Sequence, residues 1–573
     1  MKMFTMRLFF KPTILVLLFF SALSYAQKNV HKMKPRPIIY NYLSAPDSLG
    51  VRHHLKKPLK NKRTFETQSK LPYPVIFIHG LNSGANTWNS FTNFIDLNFN
   101  LTFGGRFDIS LNDNQDLGNA NLDLYPTLGA DIALYQLDVI NNADYYYVNF
   151  AVNSSGEYDE NTLDRSNQSA ISKQGKALQL VIEIVLQLTN RDKVILLGHS
   201  MGGLAAREYL QNNNNWQLDD FPHVAKLATT GTPHGGSNAV GGQIIGVDYN
   251  SEAIRDLKKS SVFLEGGFES DVSPNYYNND VNCNGITNDT FGILGLNQRS
   301  YYSDIDYSCV AGTALSILGL GGDGAVTIDS AIWNNANAGY SNLTENIYTG
   351  YLLHNQLTSN VQTLMQALDE PGVVITSYEV FTNQQYKGFI TEQSNSSHDY
   401  DLYKININNS GLYDFNIQNN YSSNLYFNIY DVNRTLVSAN YLTEGNVETI
   451  TLNLDSNLSP YYLDFNSLAT SDDSYLYPYT YSIEENTLST VDIIPNDNFK
   501  LYPNPTKNLI NFNNLKSKFE NLEIYNVVGQ LLNNISIDGS SLNSIDISSY
   551  EEGIYIFKFR KPNVLKTLRV IKK

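Results

Sequence analysis

The sequence predicts an α/β domain, with a mostly parallel sheet and helices on both faces, followed by two small all-β sandwich domains. In residues 71–374, continuous apolar runs alternate with stretches of helical spacing, which is typical of a parallel sheet covered by helices. Residues 375–490 change to short runs that alternate polar and apolar side chains and are rich in Tyr, Asn and Ser. Similar runs fill residues 493–573. Period-two runs separated by turn residues indicate β-sandwiches.

The composition is that of an acidic chain with several hydrophobic cores. It has 573 residues, a formal net charge of −16, 42% hydrophobic residues and 17% charged residues. At about 150 residues per domain, the length predicts three or four domains. Affinity for nucleic acid comes largely from Lys and Arg at phosphates, so an acidic chain without a long basic block is not expected to bind nucleic acid.

Residues 1–26 have the features of a secretory signal peptide. Basic residues precede the apolar run 14–23, and Ser24-Tyr25-Ala26 supplies small residues where a signal peptidase cleaves. The run is about half of the ~20 apolar residues that a membrane-spanning helix needs. The prediction is therefore a protein that is secreted or attached to the cell surface, with no transmembrane segment in its mature form. Residues 27–70, which mix Pro, Lys and His, indicate a linker or pro-segment.

Export also bears on the two cysteines of the chain. In an oxidising compartment Cys283 and Cys309 are expected to form a disulfide, the alternative being two buried thiols. Two cysteines do not make a zinc site unaided, so no metal role is assigned to them.

A strand, a sharp turn and a helix meet at Gly198-His199-Ser200-Met201-Gly202. The apolar run 193–197 precedes this motif, and the helical run 204–210 follows it. A serine on such a turn has strained backbone dihedrals, and flanking small residues let strand and helix approach closely. The motif resembles the nucleophile elbow of the α/β-hydrolase superfamily, which implies that Ser200 is a nucleophile. The alternative is a glycine-rich turn with an incidental serine.

A serine hydroxyl is weakly nucleophilic at neutral pH, so it needs a neighbouring base, and the base needs an orienting acid. In α/β-hydrolases these follow in the order Ser, acid, His. Of the nine histidines, only His354 and His398 lie beyond Ser200 with room for an acid between, because His223 and His234 are too close. His398 falls at the start of the predicted sandwich, so His354 is the predicted base.

The predicted acid is Asp323, in the glycine-rich loop 321–326. The loop resembles the Asp-Gly-x-Val segment that carries the acid in many bacterial lipases. A loop at the carboxyl end of a strand is also where the acid of the triad belongs. Asp329 is the main competitor.

Two backbone N–H groups must already point at the oxyanion of the tetrahedral intermediate. One is expected from Met201, the residue after the nucleophile. The turn His79-Gly80-Leu81, after the first buried strand, resembles the element from which lipases take the other donor, which implies Leu81. His79 is then expected to be scaffold. The alternative is a simple strand-ending turn.

The segment Thr230-Gly231-Thr232-Pro233-His234-Gly235-Gly236-Ser237 also recurs in lipases and related acyl hydrolases. Its glycines and proline are expected to shape the rim of the cleft, and His234 is expected to be structural. With these motifs in order, residues 71–369 resemble the lipase branch of the superfamily. The insert at 239–308 departs from that pattern, because it is polar and Asn-rich where the lid of a lipase is apolar.

Within the insert, Asp280, Asn282 and Asn284 place oxygen side chains at alternate positions before Gly285. This resembles the first half of a calcium loop, but the twelfth position is Phe291 instead of the bidentate Glu. The segment is either a weak calcium site or an Asn-rich turn. No cofactor is otherwise required by the predicted chemistry.

The two C-terminal stretches carry resemblances of their own. Residues 375–490 resemble the pre-peptidase C-terminal-like domains that are appended to secreted bacterial hydrolases. The last stretch contains Leu501-Tyr502-Pro503-Asn504-Pro505, the run 522–530, Gly553-Ile554-Tyr555 and a basic end. In that order these motifs resemble the C-terminal sorting domain of cargo for the type IX secretion system of Bacteroidetes-type bacteria. The resemblance implies that this machinery is a partner and carries the protein across the outer membrane.

Together these features predict a secreted serine hydrolase of carboxylic esters, a lipase or broad esterase that works through an acyl-enzyme on an ester or lipid substrate. Another acyl hydrolase on the same triad, such as an amidase, thioesterase or polyester hydrolase, is the first alternative. A non-catalytic cell-surface binding protein, in which the middle sandwich does the binding, is the second. An inert domain would have no reason to keep nucleophile, acid, base and oxyanion loop together.

Overall fold

A computed structural model of the chain describes residues 38–39, 69–111, 132–153, 166–237, 251–266, 294–315, 321–336, 343–392, 398–420, 423–468, 470–471, 474–486, 500–513, 519–527, 529–537, 544–561 and 564–573. These residues form two compact units. The first extends to Asn408 and includes Phe415–Ile450 and Asp455–Ile483; the second has Asn409–Asp414, Thr451–Leu454 and Glu484–Lys573. The predicted signal peptide and the calcium-like segment lie outside the described residues.

The main sheet of the first unit has nine strands among the described residues. They are β1 (Ile38–Ile39), β2 (Val75–Ile78), β3 (Phe103–Leu111), β4 (Ile132–Leu137), β5 (Tyr145–Asn149), β6 (Val194–His199), β7 (Val224–Thr230), β8 (Asp306–Gly312) and β9 (Asn346–Gly350). Their order is β1-β4-β3-β5-β2-β6-β7-β8-β9. In this spatial order, the seven strands from β3 to β9 (β3, β5, β2, β6, β7, β8 and β9) run parallel to their neighbours. Strand β4 is antiparallel to both of its neighbours, β1 and β3. This arrangement confirms the predicted fold class, and β1 comes from the segment predicted to be a linker.

Helices cover this sheet on both faces. They are α1 (Asn89–Phe99), α2 (Ile171–Thr189), α3 (Met201–Gln211), α4 (Glu252–Leu257), α5 (Val262–Glu265), α6 (Ile328–Ala331), α7 (Trp333–Ala336) and α8 (Val361–Leu368). Ile76 and Ile78 of β2 share a core with α2 and α3. Phe77 points to the opposite face, where its ring lies 5.2 Å from Trp88 and 6.0 Å from Phe91 of α1. The central strand is thus buried on both sides, as its continuous apolar run predicts.

Two further sheets follow the α/β domain. Their strands are β10 (Tyr378–Val380), β11 (Gln385–Gly388), β12 (Asp399–Ile405), β13 (Gly411–Gln418), β14 (Leu425–Tyr430), β15 (Leu436–Leu442), β16 (Val447–Leu454), β17 (Tyr461–Ser467) and β18 (Tyr479–Glu485). The strand order is β10-β12-β17-β14-β15 in one sheet and β11-β18-β13-β16 in the other. Along β14, buried residues alternate with half-buried ones. This alternation is what the period-two sequence pattern predicts.

The C-terminal residues form a three-stranded and a four-stranded sheet, ordered β19-β20-β23 and β22-β21-β24-β25. Their strands are β19 (Lys500–Tyr502), β20 (Leu509–Asn513), β21 (Asn521–Asn526), β22 (Leu531–Ser536), β23 (Ser544–Asp546), β24 (Gly553–Lys561) and β25 (Val564–Lys572). Buried apolar side chains from these strands make a separate small core. The all-β character predicted for both C-terminal stretches is thus confirmed.

The predicted disulfide is wrong for the structure described. Cys309 is a free, fully buried thiol on β8, and it packs with Ala311, Val326 and Ala331. Burial, followed by the nearby Glu345 carboxylate, raises the pKa of the Cys309 thiol well above its usual value. Its partner in the prediction, Cys283, lies outside the described residues. An oxidising compartment permits a disulfide, but the fold must also bring a second sulfur to this strand, and composition does not report that.

Within the part of the chain that the structure describes, no helix is both long enough and apolar enough to cross a membrane.

Candidate active site

The three residues predicted to act together leave the sheet at the same edge. Ser200 directly follows β6, Asp323 comes after β8, and His354 comes four residues after β9 ends at Gly350. These strands lie in one parallel segment of the sheet. Because carboxyl ends of parallel strands share an edge, residues far apart in sequence meet there.

The structure brings the three side chains into hydrogen-bond contact. Nε2 of His354 lies 2.9 Å from Oγ of Ser200, and Nδ1 lies 2.7 Å from Oδ2 of Asp323. A carboxylate only accepts, so Nδ1 carries the proton, and Nε2 accepts from the serine hydroxyl. The competitors lie elsewhere, since Asp329 is exposed in the first turn of α6 and His398 lies next to β12.

Ser200 has a strained backbone, with φ 54° and ψ −128° immediately before α3. Positive φ is unfavourable for a residue with a side chain and persists only where the surroundings enforce it. Two backbone hydrogen bonds do so, from Ser200 N–H to the Thr230 carbonyl (2.9 Å) and from Gly203 N–H to the Ser200 carbonyl (3.1 Å). The hydroxyl is thereby presented at the top of the turn, as the elbow motif predicts.

Asp323 is held as a buried anion. Burial alone would raise the pKa of this carboxyl, but the His354 imidazole and backbone N–H groups outweigh it and hold the pKa below its ordinary value. The N–H groups of Ala325 and Val326 donate to Oδ1 at 2.8 and 2.7 Å. Oδ2 is left to face His354. The carboxylate is therefore ionised at neutral pH and fixed in the direction of the imidazole.

The turn predicted to supply an oxyanion donor passes directly beside the serine. A Cβ placed on Gly80 would lie 2.7 Å from Ser200 Cβ, so only glycine permits this approach. The His79 ring spans the turn: Nε2 accepts from the Phe150 N–H at 2.8 Å, and Nδ1 donates to the Gly80 carbonyl at 2.9 Å. In a trans peptide the C=O and the following N–H point in opposite directions. By holding the Gly80 carbonyl, His79 therefore also orients the N–H of Leu81.

Met201, the other predicted donor, is the first residue of α3. Backbone N–H groups in the first turn of a helix have no partner within the helix, and the helix dipole favours negative charge there. The Met201 side chain is fully buried, whereas Leu81 is half-buried. A developing oxyanion beside Ser200 would thus meet the positive end of α3.

Two contacts of the triad are not predicted by the sequence motifs. The buried His199 ring lies against His354, with ring centroids 4.8 Å apart and the ring planes tilted by 41°. Burial, then the charge of His354, lowers the pKa of His199 to about 3, so it stays neutral. Gly231 has φ +57°, and a Cβ there would lie 3.1 Å from His354 Nδ1 and 3.2 Å from Asp323 Oδ2. The segment expected at the rim therefore lies directly against the imidazole–carboxylate pair. No motif spacing marks either contact, because both depend on where distant strands end.

The partners of His234 among the described residues are structural ones. Its Nδ1 accepts from the Arg207 guanidinium at 3.2 Å, its Nε2 contacts the Thr229 hydroxyl at 3.1 Å, and its ring stacks on Trp333. Burial, reinforced by the charge of Arg207, lowers its pKa well below the usual value. These contacts anchor the segment after β7, in keeping with the structural role expected for His234.

Two family descriptions match the chain. Residues 72–256 match the PGAP1-like alpha/beta domain, and residues 500–573 match the secretion system C-terminal sorting domain. The first match, together with the parallel sheet, shows an α/β-hydrolase-like domain. The second shows a type IX sorting domain, so the protein is exported to the cell surface or the extracellular space.

Solved structures that are similar to parts of this chain include one from Listeria innocua and two from species of Bacillus. A gene product of Listeria innocua is 15% identical, with 52% of this chain and 95% of that chain covered and a TM-score of 0.31. The Bacillus licheniformis lipase BlEst2 in propeptide form is 14% identical, with coverages of 88% and 94% and a TM-score of 0.27. The pre-peptidase C-terminal domain of a Bacillus anthracis collagenase is 16% identical, with coverages of 18% and 92% and a TM-score of 0.15. None of the curated proteins matches the sequence.

Proposed function

We propose that this protein is a secreted serine hydrolase that cleaves carboxylic esters through an acyl-enzyme. The observation that carries the proposal is the pair of hydrogen bonds at His354, 2.9 Å to Ser200 Oγ and 2.7 Å to Asp323 Oδ2. A nucleophile bonded to a base, which is bonded to an orienting acid, is the arrangement that activates a serine for acyl transfer. The strained backbone of Ser200 supports the same function, because strain of this kind concentrates at reacting residues.

In the first half of the reaction, Ser200 Oγ attacks the carbonyl carbon of the ester while His354 Nε2 takes the hydroxyl proton. The carbonyl π electrons move to oxygen, and the N–H groups of Leu81 and Met201 stabilise that oxyanion. The ionised Asp323 stabilises the imidazolium. When the tetrahedral intermediate collapses, the bond to the leaving alkoxide breaks and His354 gives it the proton.

In the second half, water attacks the acyl-enzyme, and His354 again takes and returns the proton. The carboxylic acid leaves, and the Ser200 hydroxyl is restored. Both halves use only groups of this chain, so the mechanism needs no cofactor.

The exposure of the three residues suits these roles. Ser200 and His354 are each half-buried and reachable from solvent, whereas Asp323 has no exposed surface. A substrate reaches the nucleophile and base, and the acid stays shielded from water, which keeps its interaction with the imidazole strong.

Labelling with a fluorophosphonate probe tests the proposal, because such probes react with activated serines. The wild-type protein is expected to be labelled and to hydrolyse p-nitrophenyl esters. Ser200→Ala is expected to lose the label and to lower kcat/KM by a factor of ~10³ to 10⁶. Ser359→Ala, which removes an exposed serine close to His354 in sequence, is the matched control and should behave as wild type.

Retention of label and activity in Ser200→Ala would contradict the assignment, and a wild-type protein that takes no label would support a binding function instead. Rates on p-nitrophenyl esters of increasing chain length, on a thioester and on an anilide then separate the esterase from the other acyl hydrolases.

A further inference from the structure

Four carboxylates are buried together where the α/β domain leads into the following sheets. Asp369 caps the C-terminus of α8 and Glu370 follows it, while Asp399 and Asp401 lie on β12. Their exposed fractions are 1%, 5%, 0% and 0%. Like charges so close in a low-dielectric interior repel strongly, so the cluster needs a source of positive charge or bound protons.

One oxygen from each of Asp369, Glu370 and Asp401 can be chosen so that all three lie within 4.8 Å of one another. Calcium binds oxygen at about 2.3–2.6 Å, so two ligands on opposite sides of one ion are about 5 Å apart. The three carboxylates therefore fit around a single cation without rearrangement.

Several of these oxygens have no hydrogen-bond partner among the described residues. They are both carboxylate oxygens of Asp369, Oε2 of Glu370 and Oδ1 of Asp401. Asp399 differs, because the N–H groups of Thr391 and Tyr400 donate to its two oxygens at 2.7 and 2.9 Å. Buried, unpartnered carboxylate oxygens are strongly unfavourable, and they are rare unless they face a ligand.

The nearby protein groups leave most of this negative charge uncompensated. The ammonium of Lys226 donates to Asp306 Oδ2 at 2.6 Å and to the backbone carbonyl of Asp369 at 2.7 Å, not to an acidic side chain of the cluster. The Tyr479 hydroxyl donates to Oδ2 of Asp401 at 2.6 Å, which leaves Oδ1 free. Hydroxyl groups carry no charge, so the ammonium of Lys226 alone does not balance four carboxylates.

We propose that Asp369, Glu370 and Asp401 bind a calcium ion, with Asp399 adding negative charge beside it. All the candidate ligands are carboxylate oxygens, which suit hard cations and not zinc, whose sites favour nitrogen and sulfur. Magnesium keeps several waters and demands near-ideal octahedral geometry, so a buried set of protein oxygens favours calcium. The ion joins the end of α8 to β12.

The expected consequence is structural. Helix α8 packs against β7, β8 and β9, and it begins at Val361, shortly after His354. Loss of calcium should loosen this junction and lower the melting temperature. The proposal does not rest on the proposed esterase function, and its readouts do not need activity.

The test uses the full chain after removal of calcium with a chelator. Calcium is expected to raise the melting temperature by several degrees and to bind with a Kd between about 10⁻⁶ and 10⁻³ M in calorimetry. Terbium, a calcium substitute, should luminesce when tyrosines are excited, because Tyr479 contacts Asp401. Asp401→Asn should weaken binding at least tenfold. Asp280→Asn, in the calcium-like segment of the insert, is the matched control and should leave this binding unchanged.

The absence of any calcium effect on wild-type melting, together with no terbium signal, would overturn the proposal. So would a calcium effect that survives Asp401→Asn and disappears in Asp280→Asn. If Asp401→Asn does not fold, Glu370→Gln takes its place, with the same expected loss of binding. A melting temperature that falls as the pH rises from 6 to 8.5 and does not depend on calcium would show that the carboxylates hold protons instead of a metal ion.

Discussion

His199 and His354 are joined twice in the structure. Their ring centroids lie 4.8 Å apart, and Nε2 of His199 donates a 3.0 Å hydrogen bond to the backbone carbonyl of His354. The residue before the proposed nucleophile thus holds the backbone of the proposed base. Because the carbonyl only accepts, His199 carries its proton on Nε2, and its low pKa keeps it in that neutral form.

His199 should make the stability of the protein sensitive to acid. Its pKa is about 3 when folded and about 6.5 in an unfolded chain. Between these values the unfolded state binds a proton that the folded state does not, so stability falls as the pH drops through this window. His199→Gln should reduce the loss of stability between pH 7.5 and 5 by about 2 kcal/mol.

Melting temperatures at the two pH values measure this effect. An unchanged pH dependence in His199→Gln would mean that the buried imidazole is not the acid-sensitive group.

Replacing the proposed base should be as damaging as replacing the nucleophile. His354→Ala should lower kcat/KM by ~10³ to 10⁶, and the double variant with Ser200→Ala should be no worse, because the two side chains act as one unit. His398→Ala should be silent. Ester hydrolysis by the purified variants checks this, and a reversal of the two histidines would show that the base comes from the following sheet.

The acid is tested by an isosteric change. Asp323→Asn should keep the fold but lower kcat by up to ~10⁴, because an amide favours the wrong tautomer of the His354 imidazole. Asp329→Asn, which changes the exposed carboxylate six residues on, should have little effect. Circular dichroism verifies the fold of each variant. If Asp329→Asn lowers kcat more than Asp323→Asn does, Asp329 is the orienting acid instead.

The C-terminal sorting domain should be needed for export and not for hydrolysis. A chain that ends at residue 490 lacks the matched region 500–573, whereas Ser200, Asp323 and His354 all lie in the first unit. In a host with the type IX machinery, this shorter chain is expected to stay in the periplasm while its rate per molecule on soluble esters matches full length. Lost activity or a much lower melting temperature, with normal secretion, would instead make the domain a stabiliser of the enzyme.

The fold prediction rests on sequence patterns within single strands and helices. The apolar runs at β2 and β6 are continuous because both faces of those strands are buried, and β14 alternates because only one face is. The sorting motifs are contiguous stretches of sequence, so they can be recognised without a structure. The family match over residues 500–573 confirms that prediction. The disulfide prediction failed because it used the compartment alone, and Cys309 lies in a packed strand with other partners.

The sequence by itself determined the α/β class, the all-β C-terminal sheets, the sorting address and the elbow around Ser200, because each depends on neighbours within one short segment. Only the tertiary structure decided that Asp323 and not Asp329 faces His354, that His199 holds the base, and that Asp369 and Glu370 meet Asp401. Those relationships depend on where separate strands end at a shared edge and on which buried groups are left without partners. Distances of this kind arise only when the chain packs.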